Sequence, residues 1–269
     1  MTFALKDGGE IYYEIRGKKG PWVCFLNGIM MSCASWASFN EEMSKDYRFL
    51  LIDFRDQGKS SKLEGRQYDW KLHVDDLVEL FDFLSIDKIN MLGVSYGGQV
   101  ALEFTRYHQD RLNSLMLMNV IPKVTNYLQS ISDSWELAAS LNSGKDFFTV
   151  AIPPIYSDVF YQNNIEWLKR RQELFESMLT KEWFEGFTRL SKSAKYFDCS
   201  DLIEDIKVPT LVLSAQKDII TPAERMKEMA ERIENSIYLD IPNSGHAAFL
   251  EKQREFLIAV KGFLAYIIK

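Results

Sequence analysis

The chain has 269 residues, 46% hydrophobic and 26% charged, with 14 glycines and 7 prolines. This excludes collagen-like, low-complexity and disordered chains and predicts one large α/β domain or a core with an insertion. With 32 basic against 38 acidic residues the net charge is −6, which argues against a dedicated nucleic-acid or anionic-membrane surface. The longest apolar stretch, 256–268, is broken by Lys261 and Gly262 and falls short of the roughly 20 residues a bilayer span needs. No membrane span is expected. Residues 1–7 show no secretory or myristoylation pattern, and Cys24, Cys33 and Cys199 form no Cys-x-x-Cys pair. A cytoplasmic location with three reduced cysteines used for packing is therefore expected.

Apolar runs at 11–15, 22–26 and 47–53 read as strands. Residues 70–84 place Leu77, Leu80, Phe81 and Leu84 at helical spacing, and a short buried strand follows at 88–92. After Gly97-Gly98 a helix runs to about His108, and 115–118 reads as the next strand. Repeated β-α-β units predict a mostly parallel sheet with helices on both faces. From Ile121 to about Asp198 the strands stop, and amphipathic stretches around 135–137, 165–179 and 183–190 predict helices. Residues 121–198 are thus expected to form a helical cap inserted between core segments 1–120 and 199–269. The strand 209–213, a helix over 223–233, the strand 236–241 and a last helix over 249–267 complete the alternation.

Directly after the strand at 88–92 comes Gly93-Val94-Ser95-Tyr96-Gly97-Gly98, with a helical pattern immediately behind it. A serine on so tight a strand-to-helix turn is held in a strained backbone conformation, costing about 1–3 kcal/mol, that projects its hydroxyl freely. Gly93 and Gly97 suit the turn because side chains there would collide. The hydroxyl needs a base to take its proton, and the chain has three histidines. His73 and His108 lie on helices and read as ordinary, partly exposed residues, whereas His246 follows a strand in a loop able to reach the sheet edge. The base in turn needs a carboxylate to fix its tautomer. Asp218 follows the strand at 209–213 and completes the order Ser95, Asp218, His246. The strand before the insertion ends in Asn119, not an acid, and Asp240 reads as a strand-end residue.

On these residues the sequence resembles the α/β-hydrolase superfamily over essentially the whole chain. The resemblance implies an α/β-hydrolase fold with an eight-stranded, mostly parallel sheet and a helical cap. It also makes Asn27-Gly28-Ile29-Met30 the oxyanion loop and Asp53-Phe54-Arg55-Asp56-Gln57-Gly58-Lys59-Ser60 the family's Asp-x-Arg-x-x-Gly-x-Ser turn. By that likeness the backbone N–H groups of Ile29 and Tyr96 hold the developing oxyanion, each worth roughly 2.7–4 kcal/mol. Most family members carry His-Gly where this chain has Asn27-Gly28. Asparagine braces a loop through its amide, and an Asn-Gly loop followed by an aromatic such as Trp36 is similar to hydroxyacyl carrier-protein transacylases.

Asp53 and Arg55 are expected to brace their turn, and Met30 and Met31 to line a cavity or the core. The insertion holds Trp135, Phe147, Phe148, Tyr156, Phe160, Tyr161, Trp167, Phe175, Trp183, Phe184 and Phe187. These are divided between the insertion's own core and an acyl pocket. Lys169-Arg170-Arg171 is expected to be a solvated charge run. The predicted activity is that of a serine hydrolase cleaving a small-molecule ester or thioester with an apolar acyl group through an acyl-enzyme, as in an esterase or thioesterase. No metal or redox cofactor is required, since the histidines are dispersed and no dinucleotide-binding glycine turn is present. The runner-up is acyl transfer to a thiol or alcohol, with coenzyme A or an acyl carrier protein as partner. C–C bond hydrolases and cofactor-free peroxidases share the Ser-Asp-His set. Haloalkane dehalogenases and epoxide hydrolases carry aspartate at the nucleophile position, and a binding protein that retains the triad but barely turns over is a third alternative.

Overall fold

Eight strands, β1 (Thr2–Ala4), β2 (Glu10–Arg16), β3 (Trp22–Leu26), β4 (Arg48–Ile52), β5 (Ile89–Val94), β6 (Leu112–Met118), β7 (Thr210–Ala215) and β8 (Ser236–Ile241), form one sheet. Their order is β1-β2-β4-β3-β5-β6-β7-β8. The computed structural model describes residues 1–65 and 68–268. Only the β1–β2 and β2–β4 pairings are antiparallel; β4 through β8 run parallel. The central strands β3 to β7 are buried nearly end to end, as continuous apolar runs covered on both faces should be. The edge strand β8 alternates instead. The three-residue β1 escapes the sequence pattern because so short a run shows no period.

The helices are α1 (Asn40–Ser44), α2 (Trp70–Phe83) and α3 (Tyr96–His108), then α4 (Asn126–Ser140), α5 (Gly144–Ala151), α6 (Asp158–Asn163), α7 (Ile165–Met178) and α8 (Lys181–Ala194). After β7 come α9 (Ala223–Arg232), α10 (Ala248–Glu251) and α11 (Gln253–Ile267). Alternate strand residues point to opposite faces and divide the core in two. Cys24, Leu26, Leu50 and Leu117 pack against α2, α3 and α9, while Val23, Phe25, Leu51 and Met116 pack against α1 and α11. All three cysteines are free and buried, and burial pushes their thiols up, which leaves them packing and no chemistry.

Helices α4 to α8 all lie between β6 and β7. The ends of this segment run together: Lys123 pairs with Asp198 in an antiparallel bridge, and the Cys199 N–H donates to the Pro122 carbonyl at 2.8 Å. Ser or Thr side chains cap four of the five helices. Thr125, Ser143, Ser157 and Thr180 accept from the N–H groups of Leu128, Asp146, Phe160 and Trp183. Hydrophobic spacing alone does not reveal α5 and α6, which are eight and six residues long. The helix expected over 249–267 is divided at Lys252, whose φ is −135°. Glu251 turns back there to accept from the Ser157 N–H, the Ser157 hydroxyl and the Gly245 N–H. Among the described residues no helix is long and apolar enough to cross a membrane.

Candidate active site

Ser95 stands between β5 and α3 with φ 53° and ψ −115°, a region that side-chain-bearing residues rarely adopt. The turn closes only because its glycines are bare. A Cβ on Gly93 would lie 2.3 Å from the Gly97 carbonyl oxygen, and one on Gly97 would lie 2.5 Å from that of Leu26. The Ser95 N–H donates to the Met118 carbonyl at 2.9 Å, pinning the turn to the end of β6.

His246 follows β8 and Asp218 follows β7, so both arrive at the carboxyl end of the sheet where Ser95 sits. The His246 Nε2 lies 2.9 Å from Ser95 Oγ, and its Nδ1 lies 2.7 Å from Asp218 Oδ2. The structure thus brings the three predicted side chains into one line. The Asp218 carboxylate is fully enclosed and also accepts from the Ile220 and Thr221 N–H groups and the Thr221 hydroxyl. These bonds hold it still while it faces the imidazole. Asn119 takes a part that sequence reasoning missed: its Nδ2 donates to the His246 carbonyl at 2.9 Å. Dismissed as the acid, the position fixes the base's own loop. Asp240 accepts from Ser214 at 2.7 Å, within β8, away from the line.

Asn27 and Gly28 follow β3 and are braced from several sides. The Trp36 indole donates to Asn27 Oδ1 at 2.7 Å, and Asn27 Nδ2 donates to the Ile52 carbonyl at 2.8 Å. Gln57 donates to the Gly28 carbonyl at 2.9 Å. Among the described residues the N–H groups of Ile29 and Tyr96 have no main-chain acceptor, and both residues border a cavity that reaches Ser95. Asp53 accepts from the Cys33 N–H at 2.6 Å and the Lys59 N–H at 2.9 Å, with Gly58 at φ +44° pressed against it. Arg55 forks onto Asp76 with two 2.8 Å bonds. Both brace the turn, as expected.

His73 differs from its expected partial exposure. It is buried, with Nε2 2.8 Å from the Tyr96 hydroxyl, which itself lies 3.0 Å from Ser193 Oγ on α8. The reason is its register on α2, four residues before Leu77 on the apolar stripe. His108 is partly exposed. Burial, and then the nearby Arg55 charge, push the His73 imidazole from 6.5 down to about 3. The unfolded chain therefore takes up this proton more readily than the folded one. The stability held by neutral His73 is complete above pH 6.5 and is lost as pH falls toward about 3. Calorimetry between about pH 7 and pH 4 is expected to show a steeper fall in Tm for the wild type than for His73→Gln. Equal slopes would exclude this origin.

A second tie joins core and insertion. Arg189 on α8 grips the enclosed Asp56 at 2.6 and 2.9 Å, and the Tyr68 hydroxyl adds a bond at 2.7 Å. Burial alone would raise the Asp56 carboxyl, but these donors hold it below its usual range.

A cavity of about 360 Å³ opens beside Ser95 and His246. Met30 and Met31 line it, together with Trp135, Tyr156, Trp167 and Phe175. The other aromatics divide otherwise: Phe147, Phe184 and Phe187 form the insertion's own core, and Phe148 packs with the α11 side of the sheet. The charge run also divides. Lys169 is exposed and paired with Glu166, whereas Arg171 lies over the Trp167 and Phe175 rings and lines the cavity. Its helix face, not its charge, decides this. Among the described residues no cluster of three or more His, Cys, Asp or Glu is placed to hold a metal ion.

Residues 21–253 match the family model for the alpha/beta hydrolase fold. The chain is 34% identical to an α/β-hydrolase enzyme, MGS-M2, from a Medee basin deep-sea metagenome library, covering 98% of this chain and 97% of that one, with a TM-score of 0.95. A thermophilic esterase from Thermogutta terrifontis is 25% identical over 99% and 98% of the two chains, with a TM-score of 0.85. The 3-oxoadipate enol-lactonase 1 of Acinetobacter baylyi is 22% identical over 267 residues, 97% of this chain and 96% of its own. With the sheet order, the turn at residue 95 and these likenesses in agreement, the chain belongs to the α/β-hydrolase fold family and is a hydrolase of that fold.

Proposed function

We propose that the protein is a serine hydrolase that cleaves a carboxylic ester or thioester through an acyl-enzyme on Ser95, with residues 121–198 as a cap over the site. The observation that carries this is the unbroken line Ser95 Oγ, His246, Asp218 at 2.9 and 2.7 Å. His246 takes the Ser95 proton as Oγ bonds to the carbonyl carbon, and the N–H groups of Ile29 and Tyr96 receive the oxyanion. The bond to the leaving oxygen or sulfur then breaks as His246 hands it that proton. Water, deprotonated by His246, attacks the acyl-enzyme, and Ser95 recovers its hydroxyl. Asp218 keeps the imidazole in the tautomer that accepts at Nε2 and stabilises the imidazolium. The mostly apolar 360 Å³ cavity takes an apolar portion of the substrate.

Transfer to coenzyme A or an acyl carrier protein differs only in what attacks the acyl-enzyme. Asn27, the residue that raised it, is engaged through both side-chain groups in bracing the loop, so it no longer favours transfer. The test is turnover of nitrophenyl esters of increasing acyl length, with and without coenzyme A. Steady cleavage in water, unchanged by the thiol, is expected; acyl release that depends on the thiol would move the assignment to transfer, and inertness toward all of them would contradict both.

A further inference from the structure

A smaller cavity, of about 50 Å³, adjoins Ser95, Ile29 and Tyr96. Two buried polar atoms of its wall residues lack a protein partner among the described residues, Asn119 Oδ1 and Trp135 Nε1 on α4, and the buried Gln99 on α3 and Ser132 on α4 line it beside them. Asn119 is fully buried and the others are 6–8% exposed. The direction of the Asn119 amide is set, because its Nδ2 is spent on the His246 carbonyl, so Oδ1 is an acceptor awaiting a donor. Trp135 Nε1–H is a donor awaiting an acceptor. Folded proteins pair nearly all such groups. Two of them, one acceptor and one donor, on the wall of one void beside the nucleophile mark a place completed from outside.

The relay decides which end of a substrate enters. His246 must reach the leaving atom, and it lines the large cavity but not the small one. The leaving group therefore departs into the large cavity, and the acyl substituent points into the small one, on whose wall stand Asn119 and Trp135. The sequence expectation places the apolar part on the acyl side instead.

We propose that the small cavity is an acyl subsite for a short acyl group carrying a hydrogen-bonding substituent, such as a hydroxyl, next to the scissile carbonyl. The leaving alcohol or thiol is the apolar part. A hydroxyl supplies both the donor that Asn119 Oδ1 lacks and the acceptor that Trp135 Nε1–H lacks. The space admits about three or four water-sized groups, enough for a two- or three-carbon acyl chain and little more. The proposal rests on the hydrolase assignment above.

Benzyl glycolate and benzyl propionate differ by one hydroxyl in place of one methyl, which makes them the probes. With kcat/KM normalised to each ester's rate with hydroxide, the glycolate is expected to win by about tenfold or more. Trp135→Phe and Ser132→Ala are each expected to lower that ratio. A wild-type ratio near one overturns the proposal and leaves water as the cavity's occupant, and so does a preference that survives both substitutions unchanged. If neither ester is cleaved, the hydrolase assignment fails and the subsite with it, an outcome distinct from cleavage without preference.

Discussion

Replacing Ser95 by alanine lowers ester turnover by about 10⁶-fold while leaving the fold intact, on the expectation set by loss of a triad nucleophile. Among the described residues no other hydroxyl is bonded to His246 Nε2. Thr221 Oγ1 is 3.4 Å from the opposite ring nitrogen, Nδ1, and is already bonded to Asp218 at 2.7 Å. The main-chain bond from residue 95 to the Met118 carbonyl does not involve the hydroxyl, so the turn keeps its anchor. Oxyanion donors and cavity also survive, and KM is expected to change far less than kcat. Steady-state kinetics together with the Tm checks this. A folded Ser95→Ala protein that keeps a hundredth of the wild-type rate would place the nucleophile elsewhere.

The second large effect is a loss of about 10⁴-fold in kcat for Asp218→Asn. In the native site the carboxylate Oδ2 accepts from His246 Nδ1–H, and Oδ1 accepts from the Ile220 and Thr221 N–H groups at 2.8 and 3.0 Å. An asparagine retains the two main-chain bonds through its carbonyl oxygen and turns its NH₂ toward the imidazole. Nδ1 must then accept, so the proton moves to Nε2, the atom that should receive the Ser95 proton. Geometry is kept and the tautomer is wrong. A pH-rate profile and kcat for a variant with unchanged Tm test this, and a loss smaller than tenfold would show that Asp218 does not set the tautomer.

The line Ser95, Asp218, His246 is legible because each member follows a strand, β5 and β7 as unbroken apolar runs buried on both faces and β8 as an alternating edge strand. What stayed hidden was made by register or by distant elements. His73 reads from the sequence as a half-exposed helix residue, yet it lies on the same buried stripe as Leu77. Asn119 cannot serve as the acid, but its amide serves the base through the His246 main chain. Helices α5 and α6 have too few apolar residues for a period, and their starts are marked by Ser143 and Ser157. The polar wall formed by residues 99, 119, 132 and 135 comes from three separate stretches of chain; no spacing predicts that they meet.

The most direct measurement is the mass of the peptides recovered after the protein reacts with a fluorophosphonate, which bonds preferentially to a hydroxyl activated by a neighbouring base. The relay predicts a single phosphonyl adduct on Ser95 and loss of ester cleavage in step with its formation. An adduct on any other residue, or an unmodified Ser95 in protein that still cleaves esters, would contradict it.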